Sequence, residues 1–270
     1  SVWEGMRVGS SWGEHLRLTI FGEAHGEQIG AVLDGLPPGE ELDLELVRSF
    51  LKRRSPSRAP WSTTRREDDA FAIVSGFYQG RTTGTPLCAL LPNKDVRSQD
   101  YSEFQHMPRP SHADYTGGIR YAGANDPRGG GHFSGRLTAP LCLAGAICLQ
   151  ILARRGISVA ARIARIGDVE DAAVDLARPD TEALLGLWGK ELPVLDEGRG
   201  QEMVAAIAEA RAGGDSLGGQ VQAFVFDLPP GLGDPIFGGV ENRVASILFG
   251  IPAVKGVSFG AGFAVSSRKG

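Results

Sequence analysis

Asp34-Gly35-Leu36-Pro37-Pro38-Gly39 follows a short apolar run, Ala31-Val32-Leu33, and precedes Asp43 and a segment with Leu44, Val47, Phe50 and Leu51 on one helical face. The apolar run reads as a strand and the Gly and Pro residues as its closing turn. Asp43 reads as the cap of an amphipathic helix that runs into Lys52-Arg53-Arg54 and stops at Pro56. Much later the same order returns. Residues 220–226 read as a strand, Asp227-Leu228-Pro229-Pro230-Gly231 as its turn, and residues 241–249 as the helix that follows. The echo suggests two related halves in one fold; one favourable turn used twice is the other account.

Outward from these stretches, residues 15–20, 70–74, 87–91, 157–166 and 254–259 have strand patterning. Thr138 caps an apolar helix with Pro140 in its first turn, which continues to Arg154-Arg155 and is closed by Gly156. Residues 201–211 are amphipathic and helical. Residues 93–132, dense in Gly, Pro, Asp and Arg, read mainly as functional loop. Helices and hairpin-like strand pairs do not alternate regularly, so the class expected is α+β, with helices on mostly antiparallel sheet.

The chain has 270 residues, 42% hydrophobic and 22% charged, which suits a real core and excludes a disordered or fibrous composition. Its net charge of -4 and pI of about 5.8 argue against a nucleic-acid or membrane-surface partner, because both need a basic face. Cys88, Cys142 and Cys148 lack metal-ligand spacing and read as reduced, buried thiols. The first ten residues have no apolar leader run, and the apolar stretch 139–149 is too short to span a bilayer. These features predict a soluble, cytoplasmic protein with no metal.

Three separated stretches carry the chemistry. Phe21-Gly22-Glu23-Ala24-His25-Gly26 puts a histidine in a Gly-bounded turn after a strand. Arg109-Pro110-Ser111-His112-Ala113-Asp114-Tyr115-Thr116 flanks a histidine with an arginine and a carboxylate that can fix the ring. Asp126-Pro127-Arg128-Gly129-Gly130-Gly131-His132-Phe133-Ser134-Gly135-Arg136 sets three glycines before a histidine and a helix start, where backbone N–H groups can reach a phosphate. A basic cluster, Lys52, Arg53, Arg54, Arg58, Arg65 and Arg66, extends past its helix into a Ser/Pro loop and suits carboxylate or phosphate clamping. No P-loop, G-x-S-x-G elbow or H-E-x-x-H motif is present. Titratable rings beside permanent cations suit a site that holds a multiply charged anion and moves protons around it.

Together the motifs resemble one family, chorismate synthase. Gly22-Glu23-Ala24-His25-Gly26 is similar to its G-E-S-H-G, and Arg109 to Thr116 to its R-P-G-H-A-D-Y-T with Ser111 for Gly. Its T-T-G-T-P stands at Thr82 to Pro86, R-S-Q-D-Y at Arg97 to Tyr101 and A-V-K-G-V at Ala253 to Val257. The resemblance implies a single domain over residues 1–270, a β-α-β sandwich with internal repetition, assembled as a homotetramer. It implies 1,4-anti elimination of phosphate from 5-enolpyruvylshikimate 3-phosphate to give chorismate. Reduced FMN is the cofactor it implies, with NADPH only as an external reductant.

By the same resemblance His25 protonates the departing phosphate and His112 manages a proton beside the flavin. Arg53, Arg58, Arg109 and Arg136 bind substrate, and His132, Phe133, Ser134, Pro252 and Ala253 bind the flavin. Three departures stand out: Ala24 for serine, His132-Phe133-Ser134-Gly135-Arg136-Leu137-Thr138 where many members read R-S-S-A-R-E-T, and Pro252 for a frequent asparagine. The family pattern continues past Gly270 to an R-H-D-P motif with a proton-removing aspartate. A C-terminally incomplete domain, inactive but able to bind flavin or anions, is therefore the competing expectation. A nucleic-acid module built on residues 52–66 is the weakest, because no aromatics interleave the cations.

Overall fold

Ala31, Val32 and Leu33 lie in the central strand of a five-stranded antiparallel sheet in the computed structural model, which describes residues 9–55, 69–94 and 107–269. These residues fall into two compact units. The first holds 9–55, 69–94, 107–151 and 250–254; the second holds 152–249 and 255–269.

In the first unit the strands are β1 (Ser11–Trp12), β2 (Arg17–Gly22), β3 (Gln28–Asp34), β4 (Ala72–Ser75), β5 (Phe77–Tyr78), β6 (Arg81–Thr82) and β7 (Leu87–Pro92). The large sheet has the order β1-β2-β3-β7-β4, and β5 and β6 form a separate hairpin. Helix α1 (Leu44–Arg54) starts where the sequence placed it: the Asp43 carboxylate accepts from the N–H groups of Glu45 and Leu46. Helix α3 (Thr138–Ala153) follows the shorter α2 (Asp114–Arg120).

Strand β7 buries alternate residues, Leu87, Ala89 and Leu91, as a sheet with one covered face requires. They join Ile29 and Leu33 of β3, Val47 and Leu51 of α1, and Leu143 and Ile147 of α3 in one core. Each fully buried Leu or Ile stabilises by roughly 1.5–3 kcal/mol over exposure. Leu51→Ala, a cavity at the α1 contact, should cost about 2–5 kcal/mol.

The second unit holds β8 (Ser158–Ile166), β9 (Val169–Glu170), α4 (Thr181–Leu185), α5 (Glu197–Ala212), β10 (Gly219–Phe226) and α6 (Val240–Leu248). Its sheet is antiparallel with order β10-β8-β9, over a small core of Ala160, Leu184 and Leu187. The fold is α+β, as the patterning indicated.

The echoed turns correspond in backbone conformation. Gly35 and Asp227 both have left-handed φ, 92° and 58°, as do Gly39 and Gly231, 81° and 88°. In each unit a strand enters this turn and a helix follows.

Four expectations change. Residues 93–132 are not simply loop, since α2 lies within them. Residues 254–259 form no strand; they join no sheet ladder among the described residues, and alternation alone makes none. The apolar segment 139–149 belongs to a longer helical span, Gly135–Ala153, of 19 residues and mean hydropathy 1.6, enough by length and composition to cross a bilayer. Ala139, Leu143, Ile147 and Ile151 of that span are buried in the protein core, which explains its apolarity. The three cysteines are free but only partly buried.

Candidate active site

Strand β2 delivers the His25 turn. Gly26 N–H donates to Glu23 O at 3.1 Å and closes the turn, while Ala24 N–H donates to Gly131 O at 3.1 Å and ties it to the glycine segment. Ala24 and His25 are buried, at 0% and 5% exposure. Gly129, Gly130 and Gly131 have φ of 61°, 84° and 54°, a left-handed run that only glycine adopts without strain.

Space imposes the same choice. A Cβ on Gly129 would stand 2.6 Å from His25 Nε2, and one on Gly130 would stand 3.0 Å from His112 Nε2. A Cβ on Gly131 would meet Asp126 O at 2.0 Å. Two imidazoles far apart in sequence therefore lie against adjacent residues of one side-chain-free strip.

His112 comes from the start of α2. Its backbone turns on Ser111, whose φ of 60° is left-handed, and His112 N–H donates to Arg109 O at 3.3 Å. Asp114 Oδ1 lies 2.6 Å from His112 Nδ1. The same carboxylate accepts from Arg109 Nε at 2.8 Å and Nη2 at 2.9 Å. The Arg109 hydrogen bonds, aided by the charge of His112, hold Asp114 down to about 2 against the opposing effect of burial. Asp114, anionic at neutral pH, can only accept, so Nδ1 donates to it and Nε2 is the ring's other position, 3.4 Å from Arg109 Nη2. Arg109 Nη2 also lies 3.5 Å from the Gly130 Cβ position, so a cation stands at the strip beside the ring.

Asp126 and Arg128 flank His25. Arg128 donates from Nε at 2.9 Å and from Nη2 at 2.7 Å to the Asp126 carboxylate. Hydrogen bonding from Arg128 is the main cause of a lowered Asp126 pKa, and the charge of His25 adds to it. An anion near His25 favours its protonated form.

The remaining expected residues take other places. His132 sits behind the strip: Nδ1 lies 2.8 Å from Gly22 O, which can only accept, so Nδ1 carries a proton and Nε2 faces Ser10 Oγ at 2.8 Å. Phe133 packs on α2, where a Cβ on Gly117 would come within 2.6 Å of its ring, and its centroid is 6.2 Å from that of Tyr121. Ser134 caps the turn before α3, its Oγ accepting from Arg136 N–H.

Arg136 is interior, 4% exposed; its guanidinium pairs with Asp69 and donates from Nε to Asn93 Oδ1 at 3.0 Å. Arg53 lies at the end of α1 over the Phe50 ring, 5.7 Å from its centroid, and burial lowers its pKa. Pro252 and Ala253 are exposed in a turn closed by Val254 N–H donating to Ile251 O; Ala253 has a left-handed φ of 68°. Arg58, Arg65, Arg66 and the Arg97–Tyr101 motif lie outside the described residues.

Asn93 and Asp69 had no sequence signal of their own. An Asn at a strand end marks a turn. Nothing local says that its side chain reaches residues 23–26, about seventy positions earlier.

A family model described as chorismate synthase matches residues 16–270. The chain is 46% identical over 258 residues to chorismate synthase of Thermococcus kodakarensis, covering 96% of this chain and 70% of that protein. It is 45% identical over 260 residues to chorismate synthase of Aeropyrum pernix, covering 96% and 68%. A solved structure titled "Crystal Structure of Chorismate Synthase" superposes with a TM-score of 0.77 at 30% identity, over 95% of this chain and 72% of that one.

Proposed function

Because the chain belongs to the chorismate synthase family and is on that ground a lyase, we propose that it eliminates phosphate from 5-enolpyruvylshikimate 3-phosphate, with reduced FMN as cofactor. The observation that carries the proposal is the meeting of His25 and His112 on adjacent glycines, with Arg109 beside them.

The residues present fit a flat anionic cofactor. The fit is one of charge and ring chemistry: the glycines at 129 and 130 let the His25 and His112 rings pack directly on backbone, Arg109 and Arg128 stand nearby, and the Phe133 ring follows in sequence. His112, Phe133, Ser134 and the turn at Pro252-Ala253 are the residues we assign to hold it, with His132 setting the strip from behind. When bound, reduced flavin supplies electron density that eases departure of the phosphate.

The protein's own groups handle charge and protons. In a 1,4-anti elimination the C6–H and C3–O bonds break, the ring double bond shifts and a second forms, the phosphate leaves with the C–O electron pair, and the C6 proton passes to a base, the role the resemblance gives to the aspartate of the family's R-H-D-P motif. His25, with the Asp126 carboxylate near enough to interact with its charge, is the group we assign to donate to that phosphate. His112, oriented by Asp114, holds or passes a proton at Nε2. Arg109, with Arg53 and Arg58, matches the three anionic groups of the substrate. Arg136, which the resemblance placed on the substrate, supports the site through Asp69 and Asn93 instead. A site that excludes water strengthens each of these charges.

One family match spans both compact units, which supports reading them as one catalytic domain. A soluble cytoplasmic protein is our reading from its composition; a homotetramer, and NADPH only as an outside reductant, follow from the same resemblance. Analytical ultracentrifugation tests the tetramer.

The decisive experiment is an anaerobic assay with reduced FMN that follows chorismate absorbance for wild type, His25→Ala and His112→Ala. Wild type should turn over and both variants should be severely impaired. An inactive wild type would overturn the reaction; variants equal to wild type would overturn the residue roles.

A further inference from the structure

The His25 turn is gripped by a side chain from another strand. Asn93 follows β7, and its Nδ2 donates to Glu23 O at 3.0 Å and to Gly26 O at 2.8 Å. These two carbonyls bracket Ala24 and His25. Asn93 N–H also donates to Glu27 O at 3.0 Å, and Asn93 Oδ1 accepts from Arg136 Nε at 3.0 Å. Both amide hydrogens and the amide oxygen are thus engaged, which also fixes which way the amide faces.

The network does not end at Arg136. Asp69, 5% exposed, pairs with Arg136 and accepts from Ser55 Oγ at 2.7 Å and Arg54 Nη1 at 3.3 Å, at the end of α1. A continuous polar path therefore runs from the basic end of α1 through Asp69, Arg136 and Asn93 to the turn that carries His25.

We infer that Asn93 is a positioning residue for His25. It sets the turn so that the ring stays seated on Gly129. Its amide oxygen is anchored by a guanidinium that is itself held by Asp69, so the two donors are aimed by buried groups rather than by solvent. Without them, Gly26 N–H to Glu23 O, Ala24 N–H to Gly131 O and the backbone bond from Asn93 N–H to Glu27 O are among the hydrogen bonds that still hold the turn. The consequence for turnover rests on the proton-transfer role proposed for His25; the geometric claim stands apart from it.

The test uses the full chain, with two readouts. In ligand-free protein, ring resonances of the five histidines are followed by 1H–15N correlation across pH, with His25 assigned through His25→Ala. Asn93→Ala should move the His25 ring shifts while those of His112 stay within error. Asn93→Asp, nearly isosteric, keeps an acceptor for Arg136 but sets an acceptor against two carbonyls; it should move His25 at least as far. In turnover, kcat should fall between about ten- and a hundredfold with KM changed less than about threefold, the size expected for a small misplacement of a reacting group. In a His25→Ala background, Asn93→Ala should cost little more.

Unchanged His25 resonances in whichever variant folds would overturn the inference, as would losses that multiply fully with His25→Ala. A wild type that makes no chorismate would instead sink the functional reading, and the resonance readout would still decide the role of Asn93.

Discussion

Among the described residues each unit buries one arginine–aspartate pair, and the two pairs are built alike. Arg136 with Asp69, in the first unit, are 4% and 5% exposed; Arg162 with Asp171, in the second, are 5% and 8%. Arg162 Nη1 donates to Asp171 Oδ2 at 2.6 Å and to Ala172 O at 2.7 Å, and Nε donates to Gln222 Oε1 at 2.9 Å. Asp171 in turn accepts from the N–H groups of Leu195 and Asp196, at 2.8 and 2.9 Å. That chain of contacts closes on strands and a loop of its own unit. The Arg136 chain ends instead on Asn93 and the turn of a buried histidine. The difference teaches that a buried pair alone says nothing about chemistry; what the pair holds in place does.

The largest effect expected separates the units by activity. His25→Ala should lower kcat by roughly 10²–10⁴, the range for a lost general acid, with little change in melting temperature. Arg162→Met should leave kcat unchanged in whatever fraction folds. An active His25→Ala protein, or an Arg162→Met protein folded but inactive, would break the comparison.

Next, the aspartates. Asp69→Ala and Asp171→Ala each leave a buried guanidinium without its carboxylate, at a cost of about 3–5 kcal/mol in urea unfolding. The two losses should be similar. Only Asp69→Ala should also disturb the His25 ring resonances, because only its partner reaches the turn. If Asp171→Ala disturbed them equally, the polar path in the first unit would carry no special connection to the site.

A smaller contrast uses the echoed turns and the glycine strip. Gly231→Ala meets nothing within 4 Å, so its penalty is the left-handed backbone alone, about 1 kcal/mol, with activity retained. Gly130→Ala carries the same backbone penalty and also crowds the His112 ring, so kcat should fall as well. Equal retention of activity by both would mean that the strip need not be bare.

The echo was legible in the sequence because its signal is local. Pro-Pro-Gly fixes φ at two residues and frees it at a third, and Asp43 caps the next turn of chain through its own backbone neighbours. The three histidine stretches were legible for the same reason, since glycines bound His25, Arg109 and Asp114 flank His112, and Arg128 and three glycines precede His132. What could not be read was long-range. His132 has the composition of a ligand, yet its nitrogens face Gly22 and Ser10, more than a hundred residues back. Arg136 has the composition of an anion clamp, yet its partner is Asp69. Residues 254–259 alternate like a strand, but whether a strand pairs depends on an edge that the segment itself does not encode. Single-sequence patterning finds which residues could carry chemistry; tertiary packing decides which of them face it.

The smallest effect contrasts two aspartates with lowered pKa values. Asp171 is lowered although burial pushes it up, because the N–H groups of Leu195, Asp196 and Ala172 and the Arg162 side chain together outweigh burial. Asp114, held to about 2, owes its shift chiefly to the Arg109 side chain. A depressed folded-state pKa contributes stability that is full above the unfolded value, ~3.9, and is lost as pH falls toward the folded value. Acid unfolding followed by fluorescence between about pH 4 and pH 2 should therefore be shallower in Asp114→Asn than in wild type. The same variant removes the carboxylate beside His112 Nδ1, so the His112 ring resonances should shift. Asp171→Asn should flatten the acid limb without moving His112. If neither variant altered the acid limb, the two carboxylates would titrate alike in folded and unfolded chains; if Asp171→Asn moved His112, the chemistry would not be confined to the first unit.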